Sequence, residues 1–228
     1  YSVVCAAAWR LGRSRQKIRS VCYKADYDAA DIFLADLMAD YALGDLVFAD
    51  ETAKDMSVLK GSFGYAMRGE GCVCNDLPAL THGSRTSMLN IFSPAYGWLD
   101  HAFVDGTYNT ELFLHVMTEP FVDHLGHYRR PILTDHVVSL GIRCLVIDNA
   151  RIHKDAQGRF AQRLRALGCE VRFMPPYCWF LSPLDNGAYG RIVAWMRANP
   201  TIVACGPMWR VLEEVQEAHL GCTPHSRY

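Results

Sequence analysis

The chain has 228 residues, 50% of them hydrophobic and 21% charged, which is enough for one well-buried domain and excludes a disordered or fibrous protein. Its formal net charge is −1, but residues 1–24 contain six basic residues and no acidic one, so the rest of the chain has a charge of −7. No apolar run approaches the roughly 20 residues of a membrane-spanning helix, and the sequence has no recognisable signal peptide. We therefore expect an intracellular protein that is not secreted and has no membrane partner.

The first half of the chain predicts one helix followed by strands. Apolar residues recur at helical spacing over residues 27–43. The apolar run 46–49 then predicts a buried strand that ends at Asp50 and Glu51. Further strands, separated by turn-forming residues as in an antiparallel meander, are expected at Ser62–Met67, Thr86–Phe92 and Trp98–Val104.

The second half alternates helices and strands. Asn109 is suited to cap a helix that we expect to run to about Leu125, followed by a loop at 128–131. The apolar run 144–147 suits a strand buried on both faces, and it ends at Asp148. The remaining predicted elements are a helix at 155–167, a strand at 170–174, a helix from Ser182–Pro183 through Met196, and a helix at 208–219.

Nine cysteines are scattered along the chain without a Cys-x-x-Cys pair. An odd number without metal-ligand spacing predicts reduced thiols and no structural zinc site. Cys72 and Cys74, one residue apart, are more simply interpreted as part of a turn or strand edge.

Three aspartates lie at the ends of predicted elements. Asp50 and Asp148 each end an apolar strand, and Asp185 begins a helix. Carboxylates that converge at a sheet edge repel one another unless a cation lies between them, so such a cluster suits Mg²⁺ or Mn²⁺. Two such ions roughly 3.5–4 Å apart promote displacement at a phosphodiester. The simpler alternative is that each aspartate only stabilises a turn.

The same segments resemble the DDE transposases of the Tc1/mariner and IS630 superfamily. Phe48–Glu51 resembles the first acidic strand of that family, and Val146–Ala150 resembles the second acidic block. The number of residues between Asp148 and Asp185, 36, also agrees with the family. Three other blocks are similar to family motifs: Phe63–Gly69 to the Gly-Trp/Tyr-Ala-x-x-Gly strand, Met174–Tyr177 to Leu-Pro-Pro-Tyr, and Ser182–Asp185 to Asn-Pro-Ile-Glu. The resemblance covers about residues 10–198.

This resemblance implies an α/β, RNase H-like fold, in which a mixed five-stranded sheet is flanked by helices. It implies metal-dependent DNA strand cleavage and strand transfer, with Asp50, Asp148 and Asp185 as the catalytic acids that bind two Mg²⁺ or Mn²⁺ ions. The chain departs from the family at the third acid, which is Asp where Glu is commoner, and at Ser182, which replaces Asn. Asn186 is the alternative ligand there, whereas Glu51 should point to the opposite face of its strand from Asp50.

The resemblance also implies partners and a location. The partners are DNA, as transposon ends and target, and a second copy of the chain in a homodimer that pairs two ends. The location is the nucleus in a eukaryote, or the cytoplasm and nucleoid in a bacterium.

Trp179 and Phe180 either stack on unpaired bases or pack in the core. The expected DNA-binding residues are Arg13, Arg15, Lys17, Arg151, His153 and Lys154.

Three regions are expected: a basic linker or remnant of a helix-turn-helix DNA-binding region at 1–26, the RNase H-like catalytic domain at 27–200, and a C-terminal helical tail at 201–228.

Two other functions stay open. One is a co-opted or degenerate transposase-derived domain that binds DNA or protein without catalysis, which the charge of −7 favours. The other is a hydrolase of small phosphoesters, which the Pro-Pro-Tyr and Gly-Tyr-Ala blocks disfavour.

Overall fold

The computed structural model describes residues 24–55, 58, 85–123, 125–154 and 158–219. The strand predicted at residues 62–67 lies outside these ranges. The same holds for three of the expected DNA-binding residues, Arg13, Arg15 and Lys17.

The described strands form one mixed sheet and one small hairpin. The five-stranded sheet has the order β3-β2-β1-β6-β7, and β4 pairs with β5 separately. Within the sheet, β1 is antiparallel to β2 but parallel to β6, and β6 is parallel to β7. The predicted mixed sheet of five strands is therefore confirmed. The strands are β1 (Leu46–Lys54), β2 (Thr86–Ser93), β3 (Gly97–Asp105), β4 (Phe121–Val122), β5 (Tyr128–Arg129), β6 (Cys144–Ile147) and β7 (Glu170–Phe173).

Helices cover both faces of this sheet. Residues of α2, α3 and α4 pack on one face, and residues of α1, α5 and α7 pack on the other. In the part of the chain that the structure describes, no helix is both long and apolar enough to cross a membrane. The helices are α1 (Tyr27–Asp40), α2 (Thr110–Thr118), α3 (Thr134–Leu140), α4 (Arg159–Ala166), α5 (Tyr189–Ala198), α6 (Pro200–Cys205) and α7 (Met208–His219).

Strand β6 connects the two halves of the core. Leu145 and Ile147 belong to the cluster beneath α2, α3 and α4, whereas Cys144 and Val146 belong to the cluster beneath α1, α5 and α7. All four residues are fully buried, as expected for a strand with parallel neighbours on both sides and helices on both faces. The apolar run therefore predicted this strand correctly.

Strand β1 extends further than predicted. The sequence placed its end at Asp50, but it continues to Lys54, because β2 pairs with it as far as Lys54 opposite Thr86. β6, by contrast, pairs with β1 only from Leu46 to Phe48. Asp50 therefore lies in the part of β1 that has lost its parallel neighbour but keeps its antiparallel one.

The region between β3 and β6 differs most from the prediction. Helix α2 ends at Thr118 and not near Leu125, because Pro120 cannot donate a backbone hydrogen bond and favours an extended Glu119. The predicted loop at 128–131 contains β5, which pairs with β4 in the hairpin. Helix α3, which ends in the left-handed Gly141, was not predicted.

A chain of buried polar groups connects α7 to β1. The Gln216 side-chain amide donates to Asn90 Oδ1, and Asn90 Nδ2 donates to the Tyr189 hydroxyl at 3.3 Å. That hydroxyl in turn donates to the backbone carbonyl of Asp50 at 2.8 Å. Gln216 and Asn90 are fully buried, so these bonds replace lost hydration. This series of hydrogen bonds fixes the backbone of β1 at Asp50 from the face opposite α2.

We expect acid to destabilise the fold through His101 on β3. Burial lowers the pKa of this histidine to about 4, whereas the unfolded chain protonates near pH 6.5. The unfolded state therefore binds more protons between these values, and stability present above pH 6.5 is lost as the pH falls towards 4. The loss should reach about 3 kcal/mol in the free energy of unfolding, measured by urea titration across this range.

His101→Gln should flatten that pH dependence, because glutamine stays neutral. The control is His127→Gln, at an exposed histidine, which should leave the pH dependence as in the wild type. An equal pH dependence in wild type and His101→Gln would contradict the prediction.

Tyr189→Phe should destabilise the fold by about 1–3 kcal/mol, because it leaves the Asp50 carbonyl and the Asn90 amide without their buried partner. Urea titration measures this change. Tyr128→Phe, at a tyrosine that is 73% exposed, should change stability by less than about 0.5 kcal/mol. Equal effects of the two substitutions would show that the buried hydroxyl contributes nothing.

Candidate active site

The pairing of β1 with β6 brings Asp50 and Asp148 to the same edge of the sheet. Phe48 lies opposite Val146 in the parallel register, so the same register carried two residues further aligns Asp50 with Asp148. β6 ends at Ile147, and Asp148 begins the loop that follows. Its carboxylate accepts a hydrogen bond from the backbone amide of Ala150 at 3.0 Å, which holds the loop close to the strand end.

Asp185 comes to this edge from the turn before α5. Residues Leu184–Ala188 form one π-helical turn and not the regular helix start that the sequence predicts. The fully buried Leu184 anchors the turn in the core beneath α5. Such turns within helices are frequent at functional sites.

The three aspartates interact electrostatically. Burial raises the pKa of Asp50 to about 8, and the negative charges of Asp185, Glu51 and Asp148 add to this shift. Asp185 is an exposed residue, but the protein around its carboxyl group and then the charge of Asp148 raise its pKa as well. Carboxyl groups that resist ionising together therefore lie where the elements meet, and a bound cation would favour their charged forms.

His153 bridges Asp148 and Glu51. Its Nε2 is 3.0 Å from both carboxylate oxygens of Glu51, and its Nδ1 is 2.6 Å from Asp148 Oδ1. Burial alone would lower the pKa of this histidine, but the hydrogen bonds to both carboxylates raise it to about 10. For Asp148, burial opposes ionisation, but the hydrogen bonds from His153 and Ala150 outweigh it and lower the pKa. His153 thus acts as a fixed cation between two acids.

Glu51 and Asp50 lie on opposite faces of β1, as strand alternation predicts. Glu51 reaches His153, whose ring packs on Phe113 of α2 at a centroid distance of 4.6 Å. Asp50 lies on the other face, where Tyr189 begins α5. The neighbouring acid is therefore the partner of the histidine and does not join Asp185.

Lys54 is a feature of the site that the sequence interpretation missed. Burial lowers its pKa, and the charges of Asp185, Asp50 and Asp55 oppose that effect. Its ammonium group donates to Thr52 Oγ1 at 2.7 Å and lies 6.0 Å from the centre of the Tyr189 ring. Asp50, Thr52 and Lys54 lie on one face of β1, at every second position. Because the sequence did not reveal that the strand continues to Lys54, this lysine was not recognised as part of the site.

The described DNA-binding candidates occupy different environments. Arg151 and Lys154 are exposed and line an open groove of about 600 Å³ at the N-terminus of α2. Helix N-termini and basic side chains both attract phosphate. His153 is only 2% exposed and faces carboxylates, so it does not reach the surface as a DNA contact.

The oxygen atoms of the site suit a hard cation, although the three aspartates do not surround one point in this structure. Among the described residues, no three His, Cys, Asp or Glu side chains come close enough to hold one ion together. The site nevertheless offers carboxylate oxygens and the Asn149 Oδ1, which is buried beside Asp148 without a hydrogen-bond partner. Carboxylate and amide oxygens are the ligands that Mg²⁺ and Mn²⁺ prefer.

Comparison with known proteins identifies the family. Residues 45–202 match the family described as DDE superfamily endonuclease, which covers more than half of the chain and includes all three aspartates. No curated protein matches the sequence.

Solved structures of a transposase share the fold. The chain superposes on the Mos1 strand transfer complex with a TM-score of 0.58 and 15% sequence identity, over 96% of this chain and 62% of that one. For the mariner Mos1 paired end complex with Mg, the TM-score is 0.58 and the identity is 17%, over 94% of this chain and 61% of that one. The chain thus spans about three-fifths of the length of these proteins.

The mixed sheet with helices on both faces is therefore the RNase H-like fold that the family resemblance implied, and the resemblance in the acidic blocks is confirmed at the level of the family. The chain belongs to the DDE superfamily endonucleases.

Proposed function

We propose that this chain is the catalytic domain of a transposase that cleaves and joins DNA strands with two Mg²⁺ or Mn²⁺ ions. The observation that carries this proposal is the convergence of Asp50, Asp148 and Asp185, from three separate elements, on one edge of the sheet with coupled charges. Mos1 structures with Mg and with Mn support the choice of metal.

The three aspartates would hold the ions, and Asn149 is available as a further oxygen donor. When bound, such ions supply Lewis acidity to the attacking and leaving oxygens of a phosphodiester. Asp50 is buried at the bottom of the site and Asp185 is exposed at its rim, so the scissile phosphate would approach from the side of Asp185.

Other residues position these carboxylates. His153 holds Asp148 in one orientation and is held in turn by Glu51, which leaves one oxygen of Asp148 outside that contact. Lys54 contributes positive charge beside Asp50 and Asp185. Arg151 and Lys154 would bind the DNA backbone along the groove that they line.

DNA is the proposed substrate, and a second copy of the chain is the proposed partner. The neighbours in fold include the Mos1 transposase paired-end complex with left transposon end, which supports a homodimer that brings two ends together. An enzyme of this kind acts where DNA is, in the nucleus or the bacterial nucleoid.

A non-catalytic DNA-binding relative is the second candidate. The observation that favours it is that no three ligating side chains among the described residues gather around one point. It would bind DNA with strong salt dependence but would not cut it.

Cleavage of supercoiled plasmid in Mg²⁺ or Mn²⁺ tests the proposal. Asp50→Asn, Asp148→Asn and Asp185→Asn should each lower the nicking rate by at least roughly a hundredfold, the loss typical of removing one catalytic electrostatic group. Asp36→Asn, at an exposed aspartate on α1, is the matched control and should cut at the wild-type rate.

Cutting that survives Asp185→Asn would move the third ligand to another residue such as Asn186. No cutting by the wild type, together with salt-sensitive DNA binding, would favour the non-catalytic relative. Hydrolysis of p-nitrophenyl phosphate, a small phosphoester, without DNA cutting would contradict both.

Metal binding should also be visible without catalysis. A ligand that binds only the folded state raises the melting temperature by mass action, and about 2.7 kcal/mol of stabilisation is expected at a hundred times the dissociation constant. Mn²⁺ should therefore raise the melting temperature of the wild type and of Asp36→Asn, but much less that of Asp148→Asn. An equal rise in all three would place the metal elsewhere.

A further inference from the structure

A lysine lies close to the aspartates of the candidate active site. Lys54 is the last residue of β1, on the same face of the strand as Asp50, and it is half-buried. Its backbone is held in the sheet opposite Thr86 of β2. A lysine is rarely buried unless its charge has a partner, so the groups around its ammonium explain its position.

The side chain of Lys54 runs back along β1 towards Asp50. Its ammonium donates to Thr52 Oγ1 at 2.7 Å. Residues on one face of a strand follow each other at about 7 Å, so a bond to the residue two positions earlier directs the lysine away from the end of the strand. Thr52 is only 8% exposed, and its hydroxyl therefore anchors the ammonium within the site.

Tyr189 determines the position of the ammonium from the side of α5. The ammonium lies 6.0 Å from the centre of the Tyr189 ring, close enough for a cation–π attraction. The hydroxyl of the same ring donates to the Asp50 carbonyl at 2.8 Å. Tyr189 also follows Asp185 by four residues, about one helical turn. The ammonium therefore lies beside a ring that is connected both to Asp50 and to the turn that carries Asp185.

The ammonium and the acids stabilise each other's charged forms. Burial lowers the pKa of Lys54, and the charges of Asp185, Asp50 and Asp55 oppose that shift. Burial and then the charge of Asp148 raise the pKa of Asp185, and the charge of Lys54 opposes both effects. Lys54 therefore supplies part of the positive charge that the aspartates require.

An ammonium group and a divalent cation compete for the same carboxylates. Both are stabilised by the negative charge of Asp50 and Asp185, and two like charges repel each other at close range. A lysine is suited to give way, because its charge lies at the end of a flexible four-carbon chain and is strongly hydrated. Binding of a divalent cation at these aspartates therefore requires the ammonium to move away from them.

We propose that Lys54 is an internal counter-ion of Asp50 and Asp185, which a divalent cation must displace, and that this lysine sets how tightly the site binds metal. The inference rests on the proposed function, because it takes the two aspartates as metal ligands. It adds a control of metal binding to that function: the lysine holds the acids together without metal, and the site binds metal more weakly as a result.

Electron paramagnetic resonance of free Mn²⁺ measures metal affinity without DNA and without catalysis, on the whole 228-residue chain. Lys54→Met keeps a long side chain but removes its charge. It should bind Mn²⁺ at least about fivefold more tightly than the wild type, the effect of one unit charge on a nearby divalent ion even at the dielectric constant of water. Lys54→Arg keeps the charge and should bind Mn²⁺ no more tightly than the wild type.

A gain in affinity distinguishes this role from a structural one, because a damaged site binds metal more weakly. Arg165→Met, at an exposed arginine of α4 on the other face of the sheet, is the matched control. It removes the same charge and should bind Mn²⁺ like the wild type. Addition of Asp148→Asn to Lys54→Met should abolish the tight binding, which would assign the metal to the aspartates.

The interaction of Lys54 with Asp185 can be measured in EDTA, independently of any metal. In a double-mutant cycle of Lys54→Met and Asp185→Asn at low ionic strength, the two substitutions should not be additive. Because Asp185→Asn removes the partner charge, Lys54→Met should shift the midpoint of urea unfolding more favourably in that background than in the wild type.

Two results would overturn the proposal: a Mn²⁺ affinity of Lys54→Met equal to or below that of the wild type, or additive urea midpoints in EDTA. A wild type that fails to nick plasmid, while Lys54→Met binds Mn²⁺ more tightly, would contradict the proposed catalytic function and leave Lys54 as the counter-ion. Metal-dependent nicking together with equal Mn²⁺ affinities would support the catalytic function and contradict the role of Lys54.

Discussion

The parallel pairing of β1 with β6 is the constraint on which the site depends. Three paired positions, from Leu46 to Phe48, determine the register, and a shift of one residue would turn Asp50 to the opposite face of the sheet. The pairing is secured by apolar burial on both faces of β6 and by the antiparallel partner β2 on the far side of β1. The energy that fixes the carboxylates therefore comes from residues that take no part in the chemistry.

Holding these acids close together has an electrostatic cost, and the fold offsets it from two sides. On the face of α2, His153 places positive charge between Glu51 and Asp148. On the face of α5, Lys54 lies near Asp50 and Asp185. After burial, which is the largest cause, the remaining excess of negative charge from Asp185, Glu51 and Asp148 raises the pKa of Asp50 further. A divalent cation would remove that excess, so the same arrangement that strains the metal-free protein would stabilise the loaded one.

The sequence predicted most of the elements that carry the site, for identifiable reasons. Continuous apolar runs marked β1 and β6, and the aspartates that follow them were visible at once. The extension of β1 to Lys54 was hidden, because Thr52 and Lys54 are polar and their strand conformation depends on pairing with β2. For the same reason Lys54 was not recognised. The bridge from Glu51 to His153 joins residues 102 positions apart, and no local pattern predicts such a contact.

The series of buried hydrogen bonds from α7 to β1 joins residues that are synthesised at very different times. Asp50 is synthesised before its support, because the hydrogen bonds that reach its backbone pass through Tyr189 and Asn90 to Gln216. The last of these residues leaves the ribosome more than 160 residues after Asp50. A growing chain therefore carries Asp50 through the synthesis of all the residues between it and Gln216 before the support for that acid is complete. Under the proposed function, the delay would keep an unfinished polypeptide from cutting DNA.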